Sequence, residues 1–160
     1  MTTKTDFEEQ EWARIIRAPF VAGLAITLAD PGGPIEAAKE SMASLKSATN
    51  PPSREQLLSE VALDVASLTQ QRHNPLKGFK PDGTAPPGDQ VVEELRDVQA
   101  LVNAKATPEE ATAFATWMVQ SAQAAADAAK EGGFMGFGAE QVSEREQQML
   151  ERVRVAVTQR

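Results

Sequence analysis

The side chains able to carry chemistry in this chain are few in kind. Cysteine is absent and His73 is the only histidine among 160 residues. A disulfide framework and a thiolate metal site are therefore excluded. A zinc centre would have to manage with at most one imidazole, and no Glu-x-x-His pair of the di-iron type occurs. Carboxylates remain. Asp30 with Glu36, and Glu140 with Glu144, are spaced to offer oxygens to a hard cation. Helix capping and a solvated surface explain the same four acids more simply. An acid–base pair of carboxylates in a helix cleft is the one enzymatic option, and the sequence names no such pair. Neither a G-x-S-x-G elbow nor a G-x-x-x-x-G-K-[ST] phosphate loop is present. The expectation is a protein that is not an enzyme and needs no cofactor.

Two further clusters stand out. Arg72, His73, Lys77 and Lys80 form a small basic island, suited either to an acidic partner or to a solvated loop. GGFMGFG places Gly132, Gly133, Gly136 and Gly138 around Phe134, Met135 and Phe137. It is a poor phosphate cradle, because no lysine follows and Glu140 opposes an anion. Two readings stay open. Gly132 or Gly133 can end a helix while Phe134 packs back on its last turn. Alternatively Gly133, Gly136 and Gly138 present Phe134, Met135 and Phe137 outward as a contact surface.

Charge narrows the partners. The formal net charge is −7, with 9 basic and 10 acidic residues in 1–80 against 7 and 13 in 81–160. Nucleic acid and anionic membrane surfaces are disfavoured. The apolar run PFVAGLAITLA, residues 19–29, is eleven residues long. A spanning helix needs about 20. Asp6, Glu8, Glu9 and Glu11 precede the run, where a secretory signal is basic. A cytoplasmic protein is expected.

The elements that must position these residues read as helices. Thr5 with Glu8 has capping-box spacing, and Phe7, Trp12, Ile15 and Ile16 follow as an amphipathic stretch. Pro19 ends, kinks or restarts that helix. DPGGP at 30–34 is a turn, after which Ile35, Ala38, Met42 and Leu45 share one face of a helix. Ser53 with Gln56 is a second capping pair, before a stripe of Leu57, Leu58, Val61, Val65 and Leu68. Residues 73–88 hold four prolines and three glycines and read as a flexible loop. Asp89 can cap a helix with Val91, Val92, Leu95, Val98, Leu101 and Val102 inward. Thr107, Pro108 and Glu110 mark the clearest helix start, leading to Phe114, Trp117 and Met118, which read as core. Ser143 and Glu146 open a last helix facing inward through Met149, Leu150, Val153 and Val157. No hairpin signal occurs. The expected fold is a single all-α domain, a bundle of six or seven helices.

KEGGFMGFGAEQVSEREQQML, residues 130–150, resembles the C-terminal signature EGGFxGFG–VSxxE of an uncharacterised bacterial α-helical family. The resemblance covers residues 105–157 and implies an all-α fold and a bacterial origin, with no assigned reaction. A looser similarity to TerB-like helical modules of tellurite resistance rests on Asp30 and Ile35, and on Val142, Ser143 and Glu146. It implies a small-ligand or metal-associated role. The residues and resemblances together lead to two expectations: a non-catalytic interaction module, with an unknown protein partner or self-association, or a TerB-like ligand-binding bundle.

Overall fold

The computed structural model describes residues 1–130 and 142–158, apart from the side chains of 129 and 130. Among these residues the chain is one compact all-α domain with six helices and no strand. A short 3-10 turn, Lys4–Asp6, leads into α1 (Glu9–Ala29), α2 (Pro34–Ala48), α3 (Gln56–Gln70), α4 (Pro87–Lys105), α5 (Pro108–Lys130) and α6 (Glu144–Thr158). Helices α1 and α5 pack on each other, and each also touches α2, α3, α4 and α6. They form the central pair.

Helix α1 is central because its middle is apolar on every side. Ile15, Ala18, Val21, Ala22, Ala25 and Ile26 are fully buried. Pro19 lies inside the helix and neither ends it nor restarts it. The missing amide hydrogen and the ring clash cost about 3 kcal/mol in an exposed helix interior. Here burial on all sides offsets that loss. The resulting 21-residue helix is long and apolar enough, by length and composition alone, to cross a membrane, whereas the eleven-residue run by itself fell short. In this fold it is the core helix.

Several expected boundaries move. The cap of α1 is Glu8, whose amide donates to Glu11 at 2.8 Å, rather than Thr5. Helix α3 starts after Glu55 without a side-chain cap, and the Ser53 hydroxyl is buried with no hydrogen-bond partner among the described residues. Helix α4 starts at Pro87, so Asp89 sits in its first turn and pairs with Arg152 at 2.6 Å. The two later boxes form as read. Glu110 N donates to Thr107 Oγ1, Thr107 N donates to Glu110 Oε2, and Glu146 N donates to Ser143 Oγ, each at 3.2 Å.

Helix α2 buries a different face from its apolar one, of which only Leu45 packs on the core. Ile35 and Met42 are 69% and 72% exposed, and Ala38 is exposed too. Its inward face is Glu40, Ser44 and Ala48, at spacings of four. The cause is closeness. A Cβ built on Gly23 of α1 would lie 2.0 Å from Ser44 Oγ, so only small side chains fit between the two helices.

The segment after α3 is tied down at several points. Arg72 has φ 59°, and the amides of Arg72 and His73 donate to Thr69 O and Leu68 O. This is a Schellman stop with arginine where glycine is usual. Arg72→Gly should therefore raise stability by up to about 1 kcal/mol, read as a higher midpoint in urea. Further on, Arg17 Nη1 donates to Lys77 O at 2.9 Å, while Leu76 and Phe79 pack on the core.

A candidate ligand cleft with a buried carboxylate

The small-residue contact between α1 and α2, Gly23 against Ser44, borders an open-sided cleft of 360 Å³. Phe20, Leu24, Leu45 and Leu76 are among its walls, with Met42 beside them. The end of α3 and the turn after it close one side through Thr69, His73 and Pro75. A hollow of 170 Å³ continues past Phe20 and His73 toward Arg17. The volume of the main cleft falls within the usual range for small-molecule sites, ~300–1,000 Å³.

Thr27, Ser41 and Ser44 also line the cleft, and Glu40 is its one carboxylate among the described residues. It is 3% exposed, yet it lines the cavity. The Thr27 hydroxyl donates to its Oε2, and its other oxygen accepts no hydrogen bond from a described residue. Burial pushes the Glu40 carboxyl up from its ordinary pKa; the Thr27 hydrogen bond opposes this, and the charges of Glu36 and Asp30 add to it. Glu146, at the start of α6 and 6% exposed, is raised by burial as well, against a hydrogen bond from Ser143 and with help from Asp30 and Glu40. The end of α1, the inner face of α2 and the start of α6 thus bring acids into one negative region.

A carboxyl whose folded pKa exceeds its unfolded one binds its proton more tightly in the fold. Its contribution is most favourable below the unfolded value, about 4.3 for glutamate, and is lost as pH rises through the folded value. Glu40→Gln should therefore melt at a higher temperature than the parent at neutral pH. The gain should shrink toward zero as the pH falls to about 4. Asp30, Glu36 and Glu146 set the same sign; no described cation counters them at Glu40. Melting curves across that range check it, and a gain independent of pH would contradict it.

No protein-family model matches the chain, and no curated protein or solved structure is significantly similar to it. Its likenesses to the EGGFxGFG–VSxxE family and to TerB-like modules thus rest on their motif residues alone.

The expected site residues separate accordingly. Asp30 caps the C-terminus of α1 and Glu36 lies in the first turn of α2, both within electrostatic reach of Glu40. Glu144 is exposed in the first turn of α6. Among the described residues, no three His, Asp or Glu side chains converge to hold a metal ion. Glu140 lies outside the described residues, as does the whole glycine–phenylalanine surface of Gly133, Phe134, Met135, Gly136, Phe137 and Gly138. Arg72, His73, Lys77 and Lys80 are all exposed, and His73 follows the C-terminus of α3. Trp117, Phe114 and Met118 are fully buried core. Sequence reasoning missed Glu40 and Thr27. The available signal was the run Glu40, Ser44 and Ala48, one helical face of small or polar residues beside a face of larger apolar ones.

Proposed function

We propose that this chain is a non-catalytic helical binding module that holds an apolar ligand group in the cleft between α1 and α2. The observation that carries the reading is the 360 Å³ cleft itself, walled by Phe20, Leu24, Leu45 and Leu76 with the buried Glu40 carboxylate among its lining. Apolar walls with a few fixed polar groups are what small-ligand sites share. The lining suits holding better than reacting. Its one hydroxyl–carboxylate pair, Thr27 with Glu40, has no third described side chain orienting it, as an activated nucleophile requires.

The test uses neutral 4-phenylbutanol, titrated while the methyl resonances of Leu24, Leu45 and Leu76 are followed. Saturable shifts at these three residues are expected. Ala37 also lines the cleft, so Ala37→Phe should fill it and abolish them. Absence of shifts in the parent chain, or full binding to the filled variant, would sink the reading.

A further inference from the structure

We propose that the natural occupant of this cleft is an amphipathic organic cation, an ammonium on an alkyl or aryl body, with its charged head against Glu40. The inference rests on the binding reading above and adds the chemistry of the ligand.

Three observations converge. Glu40 is a carboxylate more than nine-tenths buried, and one of its oxygens is left without a donor among the described residues. A buried charge is normally paired, because removing it from water is otherwise unfavourable by several kcal/mol. The second observation is placement. Glu40 lines the cleft, as does Thr27, which donates to its Oε2, so the carboxylate adjoins a cavity large enough for a ligand. Third is the surrounding field. Asp30, Glu36 and Glu146 act on the same region, while among the described residues no lysine or arginine lines this cleft and the exposed His73 is its one basic-type residue. An anion entering here would meet only repulsion at the Glu40 end.

The walls say what the cation must be attached to. A bare metal ion would use the carboxylates and leave Phe20, Leu24, Leu45 and Leu76 facing nothing. It would also need converging ligands, which the described residues do not provide. An ammonium on an apolar body uses both parts of the site. Its N–H groups donate to Glu40 beside the Thr27 hydroxyl, in a charge-assisted pair that is strongest where water is excluded. Its body covers the leucine walls.

Three probes of nearly one shape decide it: 4-phenylbutylammonium, 4-phenylbutanol and 4-phenylbutyrate, titrated by calorimetry into the full chain. The expected order is ammonium tightest, alcohol weaker by about tenfold or more, and carboxylate not bound. Glu40→Gln should abolish the ammonium's advantage over the alcohol. If the alcohol binds as well as the ammonium, the cation is overturned and the apolar site stands. A preference that survives Glu40→Gln overturns Glu40 as the partner. Should none of the three bind, the binding reading fails with it. Stabilisation by Ca²⁺ alone, with no effect of the ammonium, would overturn the organic cation in favour of a metal. The comparison among probes in the parent chain decides the matter even if the variant fails to fold.

Discussion

Replacing Trp117 by alanine should lower the unfolding free energy by about 3–5 kcal/mol. Trp117 is fully buried at the heart of α5, the helix that touches every other one. Its ring meets Phe114 edge-on, with centroids 6.3 Å apart and planes at 85°. Its Nε1 donates to Ser47 O at 2.8 Å, so one side chain joins the centre of the bundle to the last turn of α2. Alanine removes the ring, the aromatic contact and the donor together. Trp117→Phe separates them: most of the volume stays, and the Ser47 carbonyl loses this donor but keeps the Asn50 amide at 3.1 Å, so the lost hydrogen bond should cost about 1 kcal/mol. Urea unfolding followed by circular dichroism measures both. A loss below about 1 kcal/mol for the alanine variant would show that the bundle does not pack around this residue.

Gly23→Val should destabilise the fold by about 3 kcal/mol, the upper part of the usual range for overpacking. The first added carbon already lies 2.0 Å from Ser44 Oγ, 3.1 Å from Ser44 Cβ and 3.9 Å from Ala125 Cβ. Two more carbons have no room unless α2 moves away from α1, and that movement reshapes the cleft, since Gly23 and Ser44 both line it. Combining the change with Ser44→Ala removes the nearest colliding atom. The double variant should recover about 1 kcal/mol relative to simple addition. Strict additivity would mean that the two helices do not meet at this point.

Much of this architecture is legible in the residues. The stripes of α3, α4, α5 and α6 are buried where their periodicity places them, apart from the half-buried Leu68, Leu101 and Leu150, because each has one face far more apolar than the other. The Thr107–Glu110 and Ser143–Glu146 boxes form because a proline or a glutamate-rich first turn reinforces the start. Thr5, Ser53 and Asp89 illustrate the opposite case. Capping spacings are short and common, so neighbouring residues compete, and Glu8, Glu55 and Pro86 hold the cap positions instead. Helix α2 was legible as a helix and its orientation was not. Hydropathy assumes that the most apolar face turns inward, but contact with Gly23 selects for small size, which leaves Ile35 and Met42 outside.

The candidate site was readable only at its margin. Asp30 and Glu36 were singled out for their oxygens, and they border the region whose centre is Glu40. Glu40 is one glutamate among many in the sequence. It becomes distinctive through burial, and burial there depends on the approach of α1 and α2. The cleft likewise gathers residues from Phe20 to Leu76, a juxtaposition that no local spacing encodes.

The central pairing of α1 with α5 has a consequence for biosynthesis. The two helices are separated by nearly the whole middle of the chain, from Ala29 to Pro108. Until α5 has left the ribosome, the all-round apolar surface of α1 lacks its principal neighbour. At ~5–20 residues per second, the roughly 100 residues between the ends of the two helices take about 5–20 s to make. During that interval the nascent chain carries an exposed hydrophobic helix, the kind of surface that chaperones bind. Production of this protein in a cell therefore depends on how well α1 is shielded before its partner is synthesised, as well as on the stability of the finished bundle.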